Sequence, residues 1–345
     1  MLKATIVAVA AAQAVYAHTT FMNLFVDGVE QGPGVCWRMN RNASQASFPI
    51  PNIESNDMAC GIDGTEGVSR VCPVPDGSTL TFKFQSWASD PTKPSLDPGH
   101  KGPCAVYLKK VDSAVKDTGV GDGWFKIWDD GYDEDTQEWC TDKMINNGGF
   151  MSVKLPSGLV GGAYFVRPEL LALHNALAGD PQFYAGCAQV FIDNPTGTAI
   201  PETTVSIPGY VKYGQKPVSY NIYATPLALP YPIPGPDVTT FKDDGTTTQK
   251  TQTEGKKPAG CIDENDNWCG FEVPSYTNNQ TECWASAGKC WDQSKVCWAN
   301  ALPTGGDGCT RWDDKCTAIN DACTAKDWTG PPNKGEDLTP AKSTI

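Results

Sequence analysis

From residue 18 to about residue 236 the chain consists of short apolar or alternating runs cut by Gly, Pro, Asn and Asp. Leu80-Thr81-Phe82-Lys83-Phe84 alternates, as does Ala105-Val106-Tyr107-Leu108. Residues 161–167, 188–192, 203–207 and 219–223 read likewise as strands, with successive side chains on opposite faces. Many short strands separated by turn residues predict an all-β, immunoglobulin-like antiparallel sandwich. Residues 38–60 and 111–144 lack this rhythm and are expected as long surface loops. One short helix is expected over 168–178, where a proline stands early and Leu170, Leu171 and Leu173 are apolar. In Gln182-Phe183-Tyr184 the alternation puts Gln182 and Tyr184 on one face, opposite Phe183.

The pattern then changes. Residues 237–260 are Thr, Lys, Asp and Gly with almost nothing apolar, the composition of a flexible linker. Residues 261–330 hold eight of the 14 cysteines and read as a small disulfide-rich module; 331–345 read as a disordered tail. Cys283, Cys290 and Cys297 recur every seven residues, and so do Cys309, Cys316 and Cys323. Seven residues approach two helical turns, so each trio forms a stripe with neighbours ~10.5 Å apart. That exceeds the ~7 Å limit on Cα separation for a bridge within a trio. Two antiparallel helices joined through Pro303-Thr304-Gly305-Gly306 would be laced Cys297–Cys309, Cys290–Cys316 and Cys283–Cys323, with Cys261–Cys269 a local loop. This is one of the many pairings that six cysteines allow. Trp284, Trp291 and Trp298 follow the first trio and line an adjacent stripe, either as packing for the hairpin or as a face for stacking on sugar rings.

Composition narrows the partners. A net charge of -13 over 345 residues argues against nucleic acid and anionic membranes and leaves neutral polymers open. Beyond the N-terminus no apolar run approaches the ~20 residues of a membrane span. At the N-terminus, Lys3, the apolar run over residues 4–14 and the small residues Val15 and Ala17 form a secretory leader over residues 1–17. Secretion accounts for 14 cysteines as disulfides. Asn42-Ala43-Ser44 and Asn279-Gln280-Thr281 fit glycosylation sequons. Cleavage after Ala17 makes His18 the first residue, carrying both an imidazole and an α-amine whose reference pKa is roughly 7.7–8.0. Such a residue offers a metal two nitrogens.

The sequence has three histidines, His18, His100 and His174. His100 stands in the turn-rich Asp97-Pro98-Gly99-His100-Lys101-Gly102-Pro103, where a solvated histidine is the ordinary reading. These pieces together resemble a known family. His18 at the cleavage point, the His-Lys-Gly-Pro stretch at His100, Tyr164-Phe165-Val166-Arg167-Pro168-Glu169-Leu170-Leu171-Ala172-Leu173-His174, Gln182-Phe183-Tyr184-Ala185-Gly186-Cys187-Ala188-Gln189 and Ile207-Pro208-Gly209-Tyr210 are similar to the fungal lytic polysaccharide monooxygenases of auxiliary activity family 9 (formerly glycoside hydrolase family 61). The likeness covers residues 18–236, with the segment from His174 to Tyr184 one residue shorter than usual; the region after Cys261 is similar to an additional module of the family.

The resemblance implies one copper ion, cycling between Cu(II) and Cu(I), held by the α-amine and ring of His18, the ring of His100 and, on the axial side, Tyr184. Imidazole and amine ligands suit copper on chemical grounds as well. His174 and Gln182 are implied as catalytic neighbours, and Arg167 is expected to pair with an acidic residue. Tyr231 matches the family's surface tyrosine for substrate; Trp37 is a second candidate for that surface, against a core role. The resemblance also implies Cys60–Cys187, leaving Cys36–Cys72 and Cys104–Cys140 as the remaining expected pairs. The implied reaction is oxidative cleavage of β-1,4-glucan (cellulose, or a hemicellulose of the xyloglucan type) by a secreted monomer using an external electron donor and O2 or H2O2. The competing readings are a secreted copper- or carbohydrate-binding protein without turnover, and a hydrolase with paired carboxylates, for which no pair stands out.

Overall fold

The computed structural model describes residues 18–193, 200–242 and 250–345; the leader expected over 1–17 lies outside them. The strands are β1 (Thr20–Val26), β2 (Val29–Pro33), β3 (Trp37–Arg38), β4 (Cys72–Pro75), β5 (Thr79–Gln85), β6 (Cys104–Lys110), β7 (Gly121–Asp130), β8 (Tyr132–Asp133), β9 (Glu138–Trp139), β10 (Phe150–Lys154), β11 (Gly162–Ala172), β12 (Gln182–Ala185) and β13 (Cys187–Asp193). One sheet runs β10-β5-β1-β2. The other runs β7-β6-β11-β13-β3, with Val205–Ile207 beyond β7, β12 on β11 and β4 on β13. All pairings of the sandwich are antiparallel except β4 with β13, which is parallel. Phe21 opposes Phe84, Leu24 opposes Phe82 and Val26 opposes Leu80. These side chains meet Val106, Leu108, Val166, Leu170 and Val190 of the other sheet in the inter-sheet core. Each apolar side chain so buried contributes about 1.5–3 kcal/mol.

The larger sheet is covered on its second face too. Tyr107, Phe165, Leu171 and Phe183 lie there under Trp124, Trp139, Ile207 and Tyr231. This double burial explains why 168–178 is not the expected helix. β11 continues through Leu170-Leu171-Ala172, and only Ala176–Ala178 turns, as a 3-10 helix. A strand buried on both faces reads as an unbroken apolar run, which periodicity does not separate from a helix. Pro168 is tolerated because on that side β13 pairs as far as Val166 and β12 only from Glu169, so no ladder partner needs its missing N–H. Two more expectations need correction. Residues 111–144 contain β7, the β8–β9 hairpin and the helix α2 (Cys140–Asn146), whose charged ends hide their periodicity. Residues 219–223 form turns after the 3-10 helix Lys216–Val218 rather than a strand. Residues 38–60 are irregular up to a single helical turn, α1 (Asp57–Cys60).

Cys36–Cys72, Cys60–Cys187 and Cys104–Cys140 are disulfides of the sandwich. Beyond it, α3 (Gln280–Asn300) and α4 (Asp307–Thr324) form a hairpin bridged by Cys283–Cys323, Cys290–Cys316 and Cys297–Cys309. Cys261–Cys269 joins a small two-stranded ribbon beside it. Trp312, Ile319 and Val273 fill the space between.

The module is docked on the sandwich. Asn267 donates to the Gly34 carbonyl (3.0 Å) and accepts from the Cys36 N–H (3.1 Å), and Arg70 pairs with Glu264. Of the segment expected as a linker, residues 243–249 lie outside the described ones, and its flanks are held. Thr239 N–H donates to Lys126 O (2.8 Å) and Gln252 donates to Val71 O (2.9 Å). Residues 331–345, expected as disordered, instead cover the outer edge of β2. Glu30 N–H donates to Ser343 O (2.9 Å) and Ile345 N–H to Gly28 O (3.0 Å). An edge strand's unpaired backbone groups provide the reason.

This docking predicts a steric effect at Gly34, whose φ is +68° and whose added Cβ would collide with Asp266 and Leu302. Gly34→Ala should destabilise the full chain by ~1–3 kcal/mol. Gly148→Ala, with φ +64° and open space around it, gives the backbone part alone. Thermal unfolding of both checks this; equal shifts would mean that the module does not press on Gly34.

Candidate metal centre

One end of the larger sheet gathers the three histidines. His18 immediately precedes β1, His100 lies in the turn entering β6, and His174 follows β11. The register forces the last two together: Cys104 of β6 opposes Leu170 of β11, and Ala172 opposes Gln182 of β12. The His100 turn is closed by Asp97, which accepts from Gly99 N–H (2.7 Å) through its side chain and from His100 N–H (2.9 Å) through its carbonyl. Gly102 N–H donates to Thr141 Oγ1 (3.0 Å), and Lys101 pairs with Asp142 (2.9 Å). A Cβ at Gly102 would collide with the Leu171 carbonyl, so this approach requires glycine. The Cys104–Cys140 bridge stiffens the same segment.

The rings of His18 and His100 stand edge to face, 5.9 Å apart at 82°. Tyr184 lies 6.1 Å from the first and 6.2 Å from the second. His174 is 4.1 Å from His100. The Tyr184 hydroxyl donates to Gln182 Oε1 (2.9 Å), and Gln182 Nε2 donates to Asp180 (3.1 Å). Tyr184 and Gln182 share one face of β12, while Phe183 packs in the opposite core.

Burial, and then the neighbouring His174, lower the His100 pKa to about 4; Asp97 acts in the opposite direction. Burial lowers His174 as well, against Asp180 and Asp97. His18 is lowered by burial and His174, against Asp180. Burial raises the Tyr184 phenol, which stays protonated. Near neutral pH the three imidazoles are therefore uncharged and have lone pairs to give. Both His100 ring nitrogens are buried without a hydrogen bond of normal geometry among the described residues; Gln182 approaches only weakly. Leaving such an atom unpaired costs about 1–3 kcal/mol, which a bound electron-pair acceptor would offset. Two converging imidazoles with a phenol fit copper better than a hard cation. A second grouping of metal-type side chains, Cys261, Glu264 and Cys269, has its cysteines tied in a disulfide.

Two expected roles do not fit. Tyr231 is only 8% exposed, packed edge-on against Trp139 and Tyr220, so its ring cannot meet a polymer. Trp37 is 2% exposed against Phe21 and is a core residue. Arg167 pairs with an acid as expected, Glu169 (2.5 Å), on the face of β11 away from Tyr184, where it also donates to Met58 O (3.0 Å). The sequence reading missed Phe48, 48% exposed and edge-on to His18 at 5.2 Å. It also missed Tyr223, 68% exposed, whose hydroxyl donates to His174 O (3.3 Å). Asp180, which orients Gln182, was overlooked because a lone loop carboxylate carries no pattern.

Comparison with known proteins agrees with this geometry. The sequence model of Auxiliary Activity family 9 (formerly GH61) matches residues 18–231. AA9 family lytic polysaccharide monooxygenase C of Aspergillus tamarii is 51% identical over 337 residues, covering 94% of this chain and 90% of that protein. AA9 family lytic polysaccharide monooxygenase A of Emericella nidulans is 47% identical over 339 residues; the chain spans 58% of its length and is itself covered to 94%. Among solved structures, CvAA9A superposes with a TM-score of 0.58 at 32% identity, covering 64% of this chain and 97% of that one. A cellulose-active polysaccharide monooxygenase from M. thermophila superposes at 0.52 with 26% identity, covering 65% and 100%.

The depressed histidines predict a pH dependence in protein stripped of metal by a chelator. His100 takes up a proton near 6.5 when unfolded but only near about 4 when folded. Its contribution is therefore intact above pH 6.5 and is lost as pH falls toward 4. The urea midpoint should drop over that window, and His100→Gln should flatten the drop; an unchanged slope in the variant would refute the assignment.

Proposed function

The chain belongs to Auxiliary Activity family 9 and is a lytic polysaccharide monooxygenase, and we propose that it is secreted, copper-dependent and acts on β-1,4-glucan. His18 and His100 would hold the copper through their rings, with the α-amine of His18, freed by leader cleavage, as the third nitrogen and the Tyr184 phenol beside them. Copper there would supply one-electron redox chemistry toward O2 or H2O2, fed by an external donor. What carries this reading is the His100 ring, buried beside a second histidine with neither nitrogen in a hydrogen bond of normal geometry among the described residues.

The chain's own groups do the rest. The turn through Gly99 and Gly102 fixes the direction of the His100 ring before any ligand arrives. Protonated Tyr184 brings a neutral phenol beside the two rings, locked by its bond to Gln182. Gln182 is pinned through both amide atoms and positions its remaining N–H toward the cluster. His174, neutral and with Nδ1 unpartnered among the described residues, can hold or deliver a proton beside His100. Outer neighbours of this kind tune metal sites. The polymer would lie across Phe48 and Tyr223, rings that flank the cluster and stand out into solvent. Cellulose is the favoured substrate, in keeping with the cellulose-active M. thermophila neighbour, and xyloglucan is the alternative.

The test is product mass spectrometry on cellulose and xyloglucan after stripping and reloading with copper. Oxidised oligosaccharides should appear only with both copper and ascorbate, and His100→Ala should abolish them. Products formed in chelator without reductant would make the chain a hydrolase; binding without products would make it a passive binder. His174→Ala should lower turnover by roughly 10–100-fold with copper still bound. Tyr223→Ala should weaken binding to cellulose by about tenfold, checked by adsorption isotherms.

A further inference from the structure

The cysteines of α3 face α4 and are fully buried, so the residues that follow each of them turn about a quarter of the way round the helix. Those residues are Trp284, Trp291 and Trp298. Trp284 is 44% exposed and Trp298 48%, while Trp291 is half-buried against the hairpin core. Packing thus covers most of Trp291 and leaves the other two nearly half exposed. Indole rings contribute most when fully covered, so two half-exposed ones in line on a triply bridged helix leave apolar surface for an occupant.

The spacing says what kind. At seven residues the tryptophans recur every ~10.5 Å along the axis, drifting only ~20° per step. In an extended β-1,4-linked glucan every second ring presents the same face, and that disaccharide repeat matches this interval. The polymer is uncharged, which suits a chain of net charge -13 that would repel polyanions.

The row also leads somewhere. Trp298 is fixed by its N–H to Asp313 (2.9 Å) and packs where a Cβ at Gly306 would sit. The neighbouring Gly305 approaches Ser89, its Cβ position lying 3.9 Å away. Ser89 belongs to the loop after β5 that carries exposed Trp87 and runs on through Ser95, which accepts from Thr19 (2.6 Å), to His100. The end of the tryptophan row therefore abuts the segment that leads to the metal centre.

We propose that Trp284, Trp291 and Trp298 form a second polysaccharide-binding track, which stacks on alternate rings of a β-1,4-glucan and holds the docked module on the polymer that the histidine cluster attacks. This rests on the polysaccharide reading of the site, but its test does not need turnover. The full chain, stripped of copper, is adsorbed to insoluble cellulose and the free fraction measured. Trp284→Ala should weaken adsorption by roughly three- to tenfold, and Trp284→Ala/Trp298→Ala by more than about tenfold. Trp284→Tyr should restore most of it, and oxidation of a soluble cello-oligosaccharide by the reloaded variants should stay unchanged. Trp284 is an exposed residue outside the buried core of the hairpin, so its variants report even if Trp298→Ala fails to fold. Unaltered adsorption of Trp284→Ala, or no adsorption of the unmodified chain, overturns the track. Absent oxidation with adsorption still dependent on the tryptophans would sink the enzyme reading instead and leave the track standing.

Discussion

A buried imidazole whose nitrogens make no hydrogen bond of normal geometry among the described residues is a destabilising thing for a fold to retain, and one end of the sandwich is arranged to retain it. His100 is held down by a glycine-dependent turn, by Thr141 and by the Cys104–Cys140 bridge just beyond. β11 and β12 bring His174, Gln182 and Tyr184 against it from the other side. Burial among these groups keeps the ring neutral. Neutrality is what a metal ligand needs, and absence of competing hydrogen bonds is what keeps its lone pairs available.

The same sheet explains how a site of this sort can lie on the surface. Because both faces of the larger sheet are covered, the strands that carry the histidines are fixed by packing rather than by their own loops. The loops are then free to present Phe48 and Tyr223 outward. At the opposite edge the problem is different: β2 has open backbone groups, and the chain's last residues pair with them. The cysteine-rich module is clamped beside that edge through Asn267 and Arg70. These contacts dock the module, and with it the tryptophans of α3, on the sandwich that carries the histidine cluster.

Much of this was legible in the sequence. Alternation in Leu80–Phe84 marks a strand with one polar-tolerant face, the short apolar run Ala105–Leu108 marks one buried on both faces, and the seven-residue cysteine spacing carries the geometry of a helical hairpin. The three histidines and Tyr184 were visible as motifs because chemistry restricts them to few residue types. What failed did so for physical reasons. Pro168 and the leucines after it imitate a helix start because a strand buried on both sides has no alternation to display. Tyr231 sits in a proline-rich stretch that looks like surface, yet its ring turns inward against Trp139, and nothing local encodes that choice. Phe48 and Asp180 are single residues in loops, positioned by contacts distant in sequence, so no spacing announces them.

The central claim is that a free amine and two imidazoles bind copper together. The direct measurement is calorimetric titration of copper into the mature chain beginning at His18 and into the same chain with one alanine placed before it. The account predicts one tightly bound ion for the first and a large loss of affinity for the second, whose amine is moved out of reach. Equal affinity in the two proteins would contradict it.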